Sequence, residues 1–155
     1  VTKTRALLII AAIVVGVFVI GAALIPILTR DSRESARVEG PVRSVVVDSE
    51  RGAVLVRAGE AGGATVAQHR KWILVGPEVD VDLTDGVLRV DVSCPALSVA
   101  SCSADLDLAV PEDVAVDVKT VRGHLDVRGV RGTVKAVSED GDVTVDAPSE
   151  RVTAA

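Results

Sequence analysis

Two cysteines, two histidines and a short run of carboxylates are the residues of this chain best suited to chemistry. Cys94 and Cys102 flank the segment PALSVAS. A redox pair takes the CxxC spacing and a neighbour that favours the thiolate. Neither is present, so the two read as a structural disulfide whose short loop contributes roughly 2–3 kcal/mol on the chain-entropy model. Zinc takes three or four ligands, whereas His69 and His124 have no nearby cysteine or second histidine and read as surface or turn residues. Glu78, Asp80, Asp82 and Asp85 alternate along a strand, which brings side chains two apart to one face. Such a face suits a hard cation, or else serves as a solvated outer face that discourages edge-to-edge pairing. Asp140 and Asp142 pose the same choice, and the plainer reading is preferred for both. Neither a Gly-x-Ser-x-Gly elbow nor a phosphate-binding loop occurs, so no catalytic residue, cofactor or metal site is expected. Gln68-His69-Arg70-Lys71-Trp72 is the one basic and aromatic cluster. Arg70, Lys71 and Trp72 form a candidate partner surface for a cell-wall polymer or a protein; in the alternative, Trp72 fills the core or caps the fold.

These residues need a frame. The formal charge of −5 becomes −7 once Lys3 and Arg5 are set aside, which excludes the basic footprint of a nucleic-acid partner. The uncharged run from Ala6 to Leu28 is long enough for a bilayer core about 30 Å thick, and longer than a typical signal-peptide core. It predicts an uncleaved signal anchor over 6–29, with 1–5 as a cytoplasmic tail. Basic residues nearly balance across it, so the short five-residue tail, with the domain at the other end, and the cysteine pair decide the orientation: a single-pass plasma-membrane protein with its β-domain outside. Ala12 and Gly16 form a small-xxx-small pair that would admit a neighbouring helix, and with it an integral membrane complex as partner. The polar segment 30–41 reads as a linker.

From residue 42 to 155 the pattern changes to period two, as in Val79-Asp80-Val81-Asp82-Leu83 and Val114-Ala115-Val116-Asp117-Val118, the mark of half-buried strands. A Gly-x-apolar-x-Val/Ala unit recurs at Gly52, Gly86, Gly123, Gly132 and Gly141, and the last three glycines are nine residues apart. At twice that spacing, 120–129 aligns with 138–147. A fixed beat predicts stacked rungs with glycine at the turns. The expected fold is all-β, a β-solenoid-like stack of short strands or, alternatively, a β-sandwich, preceded by the membrane helix. Another rung begins at Arg151-Val152-Thr153-Ala154.

The units Ser49 to Val56, Thr120 to Val127 and Ser138 to Val145 have the form Ser/Thr-x-x-Gly-x-apolar-x-Val. Together with Trp72, the Cys94–Cys102 pair and the step Leu108-Ala109-Val110-Pro111, they resemble the bacterial putative-adhesin β-strand-repeat family, in its actinobacterial membrane-anchored form. The resemblance covers residues 42–155. It implies a right-handed or toast-rack-like β-stack at the cell surface with no catalytic site, and it implies no ligand. The expected function is thus a membrane-anchored binding or adhesion module. The alternatives are an accessory subunit docked through its helix and an envelope-stress sensor or scaffold.

Overall fold

The computed structural model describes residues 13–16, 18–19, 29–96 and 101–146, and the backbone of 152–154. The chain divides into Val1–Arg30 and Asp31–Ala155. In the first unit, 13–16 and 18–19 are helical, with Ile13, Val14, Val15, Phe18 and Val19 exposed. Ala12 and most of 6–29 lie outside the described residues. The expected transmembrane helix, and the single-pass location drawn from it, require correction. Among the described residues no helix is long and apolar enough to cross a membrane, which takes about 20 residues. Moreover, the backbone is already extended at Thr29. The presumed linker is the strand β1 (Thr29–Glu39), polar along most of its length.

The second unit is all-β. After β1 come β2 (Ser44–Arg51), β3 (Val54–Ala58), β4 (Gly63–Ile73), β5 (Glu78–Thr84), β6 (Val87–Ser93), β7 (Cys102–Val110), β8 (Ala115–Arg122), β9 (Leu125–Arg128), β10 (Val134–Asp140), β11 (Val143–Asp146) and β12 (Val152–Ala154). They form two six-stranded sheets, ordered β1-β4-β7-β3-β9-β11 and β12-β10-β8-β2-β6-β5. The inward residues of both contribute to one core, which includes Val45, Val47, Val54, Val56, Leu88, Val90, Leu106, Leu108, Val116, Val118, Leu125 and Val127. Fully burying such a side chain contributes about 1.5–3 kcal/mol. Branched Val suits these pleated positions, and its alternation with Asp, Lys, Arg and Thr keeps each outer face polar.

Most pairings are parallel. A parallel pair cannot be closed by a hairpin; here the return path is a strand of the opposite sheet. β8 and β9 make one coil and β10 and β11 the next, with Val116 beside Val134 and Leu125 beside Val143. β12 begins a further coil, Val152 lying beside Val134. The coil therefore spans eighteen residues, and the nine-residue beat marks alternate corners. Gly123 and Gly141 turn the chain with φ of 146° and 154°. Gly132 stands at the other corner, where a Cβ would meet the Val114 carbonyl oxygen at 1.9 Å.

The expected fold class also needs amendment within the β-unit: the sheets are mixed, and consecutive stacking holds only from β8 onward. The coil of β2 and β3 lies between β6–β7 and β8–β9. β4 and β5 run antiparallel to β7 and β6. β5 and β6 are joined by Asp85-Gly86, both at positive φ, as a two-residue hairpin requires.

The Cys94–Cys102 disulfide is present, with a Cα separation of 6.0 Å. It closes the passage from β6 to β7, where the other coils use glycine. Val92 shares its register with Ser49, and Ser49 with Thr120, Thr120 with Ser138. The disulfide-closed coil thus places Val where the glycine-closed coils place Ser or Thr.

Candidate functional site: a groove on the outer face of the first sheet

The candidate site follows from alternation. Val54 and Val56 of β3, Leu106 and Leu108 of β7 and Val66 of β4 face the core, which turns Leu55, Asp105, Asp107 and Ala67 to the outer side. Ala67 is registered with Asp107, and Asp107 with Leu55. Leu55 is also registered with Asp126, so a leucine lies between two carboxylate-bearing strands. With Arg33, Glu34 and Ser35 of β1 these residues enclose an open groove of about 470 Å³. Its floor is Ala53, Leu55 and Ala67, and His69, Asp105 and Asp107 are among its walls.

The charged wall residues are held in place. The Ala53 amide donates to Asp105 Oδ1 at 2.9 Å, fixing the carboxylate above the turn into β3. Arg57 Nε donates to Asp107 Oδ1 at 2.8 Å. His69 Nε2 lies 2.7 Å from Asp31 Oδ2. Glu34 accepts from Arg70 at 2.8 Å and from Gln68 at 3.2 Å, so β1 is tied to β4 through charged hydrogen bonds. The His69 hydrogen bond holds the Asp31 carboxyl below its usual range, with Arg33 and Lys71 adding to the effect and partial desolvation opposing it. On the same face, Asp126 hydrogen-bonds Arg128 and raises its guanidinium above the usual value.

The chemistry available to this arrangement is that of contact. Ser35, His69 and Asp31 suggest a triad on paper, but no hydrogen bond joins Ser35 to His69 among the described residues, and His69 Nε2 is engaged by Asp31. His124 lies 3.3 Å from Asp142 in an exposed pair. Asp80, Asp91 and Asp48 share one register across the outer face of the second sheet, and Thr84 donates to Asp82. Among the described residues no three ligating side chains are placed to hold a metal ion.

Arg70, Lys71 and Trp72 do not converge. They are consecutive on β4, so Lys71 takes the side of Ser103 while Arg70 and Trp72 take that of Ala104 and Cys102. Arg70 is bonded to Glu34, and a Cβ on Gly76 would touch the Trp72 ring at 3.1 Å. Among the described residues, a Cβ on Gly16 would meet no heavy atom within 4 Å outside its own helix turn. The groove itself was missed. The signal available for it was Val54-Leu55-Val56, three apolar residues in succession where alternation calls for a polar one in the middle.

No family model matches the sequence, and no curated protein does. Among solved structures, similarity is found to a putative cell adhesion protein from Clostridium sporogenes, 10% identical, covering 81% of this chain and 98% of that one with a TM-score of 0.44. A putative lipid binding protein from Parabacteroides distasonis is 7% identical, covering 79% of this chain and 62% of that one, with a TM-score of 0.39. A putative adhesin from Bacteroides fragilis is 10% identical, covering 79% and 75%, with a TM-score of 0.34. At these scores neither ligand nor activity carries over from them.

Proposed function

We propose that the chain is a non-catalytic, adhesion-type binding module that engages its partner through the outer face of the first sheet. The observation that carries this reading is the groove above Leu55. An apolar floor rimmed by fixed carboxylates offers contact area and orientation without a nucleophile or a free base. The support is firmest at Asp105 and Asp107, which project from β7, whose reverse side carries the buried Leu106 and Leu108. The disulfide suits an oxidising compartment, where such a module would meet wall polymers or other proteins.

The test is adhesion. Beads carrying the full chain are expected to adhere to surfaces coated with isolated cell envelopes. Leu55→Glu, which places a carboxylate on the apolar floor, is expected to abolish adhesion and leave the unfolding midpoint within a few degrees. Undiminished adhesion by a folded Leu55→Glu chain would overturn the assignment.

A further inference from the structure

Among the described residues of the β-unit, the largest exposed apolar side chain lies at the corner between β4 and β5. Leu74 is 78% exposed, with Val75 at 41% and Val81 at 37%. Leu74 has φ of 71°, and the Val75 amide donates to the Ile73 carbonyl oxygen at 3.0 Å. Positive φ with a two-residue closure defines the γ-turn that is rare because it is strained. The left-handed region is costly for leucine, and Asn or Gly there would relieve it. The turn is anchored: the Ile73 amide donates to Ser101 O, and Trp72 is registered with Cys102 of the disulfide. The chain thus holds a leucine outward at an energetic cost, on a rigid base.

We propose that the groove above Leu55 receives the Leu74 corner of a second copy of this chain, so that adhesion is homophilic; this rests on the groove being the binding site. Two observations select a second copy. The first is charge. Lys71, exposed beside the corner, forms no ion pair among the described residues, and Asp105 on the groove wall accepts from a backbone amide but pairs with no cation. The second is placement. Lys71, His69 and Ala67 lie on one side of β4, so Lys71 faces the same way as the groove, and Leu74 follows it, roughly 20 Å along the chain from Ala67. Two copies related by a two-fold axis parallel to that face and perpendicular to β4 would each set Leu74 over the partner's Leu55, with Lys71 near the partner's Asp105. The contact is isologous and closes as a dimer.

The experiment is sedimentation equilibrium of the full chain with matched variants. The wild type is expected to show a concentration-dependent monomer–dimer equilibrium. Leu74→Asn, which tolerates positive φ, is expected to raise the thermal midpoint and weaken the dimer roughly tenfold or more. That opposite movement separates lost contact from lost folding. Leu55→Glu should weaken the dimer similarly. Mixed Leu74→Asn and Leu55→Glu chains should form a heterodimer tighter than the Leu55→Glu homodimer if one intact corner meets one intact groove. A wild type that stays monomeric at its highest soluble concentration, or a dimer indifferent to both substitutions, would overturn the proposal. Bead adhesion to envelopes that is lost with Leu55→Glu but kept with Leu74→Asn would reject the second copy and leave the groove as the site of another partner.

Discussion

Gly141 sits directly upon Gly123: a Cβ on Gly141 would fall 2.1 Å from the Gly123 carbonyl oxygen. Gly123 stands in the same relation to Gly52, at 1.9 Å. Backbone therefore packs on backbone at this corner, and each amide donates to the next coil, Gly52 to Arg122 O at 3.0 Å and Gly123 to Asp140 O at 3.1 Å.

Gly123→Ala is expected to destabilise the fold by about 3 kcal/mol or more. It adds a methyl group inside van der Waals contact to the cost of positive φ, about 1–3 kcal/mol. Thr144→Ser, on the outer side of β11, should stay within about 0.5 kcal/mol. Denaturant unfolding of the two variants checks the contrast.

Thr120 and Ser49 are fully buried, and their hydroxyl oxygens have no hydrogen-bond partner among the described residues. Ser138, in the same column, donates to the Gly123 carbonyl oxygen at 3.3 Å. Thr120→Val keeps the shape and removes the unsatisfied group. It is expected to be neutral or to stabilise by about 1 kcal/mol, as the chain's own use of Val92 in that register suggests. Ser138→Ala should instead cost up to about 1 kcal/mol. Thermal unfolding of both variants tests the difference in sign.

Replacing Cys94 and Cys102 together with Ala is expected to lower stability by roughly 2–3 kcal/mol. Because Trp72 is the sole tryptophan and is registered with Cys102, its emission should change on reduction before global unfolding. Fluorescence and denaturant titration, with and without reductant, provide the check.

The Asp31–His69 pair gives β1 an acid-sensitive tether. A depressed folded-state value means that the unfolded carboxylate takes its proton first as pH falls. The contribution is therefore whole above about pH 5 and is lost as pH drops through the folded value, below about 3.8. Asp31→Asn should lower the thermal midpoint at pH 5 and match the wild type near pH 2. A difference between the two that persists unchanged at about pH 2 would contradict this account.

Much of the strand content was legible because valine alternates with charged residues, as at 114–118, and the cysteine pair was legible from composition. Strand order was not. Val45 lies beside Val116 and Leu88, and nothing local in the sequence encodes a pairing across such separations. β1 was mistaken for a linker because an edge strand needs few apolar residues: Val38 alone of its side chains packs against the core. The His69–Asp31 pair was hidden for the same reason. For Arg70, Lys71 and Trp72 the strand period sends neighbours to opposite sides, and whether any of them meets a partner is not decided by that placement.

The coil of β2 and β3 is flanked on both sides by strands that come later in the chain. During synthesis it emerges before the strands that flank it, with two bare edges. One edge is covered when β6 and β7 arrive, and the other only when β8 and β9 return past it. Closing so long a loop is entropically slow, and an unpaired Val-rich edge recruits other chains. The centre of the finished molecule is thus its most vulnerable part while the protein is being made, and crowding of nascent chains should cost yield more than any lack of final stability.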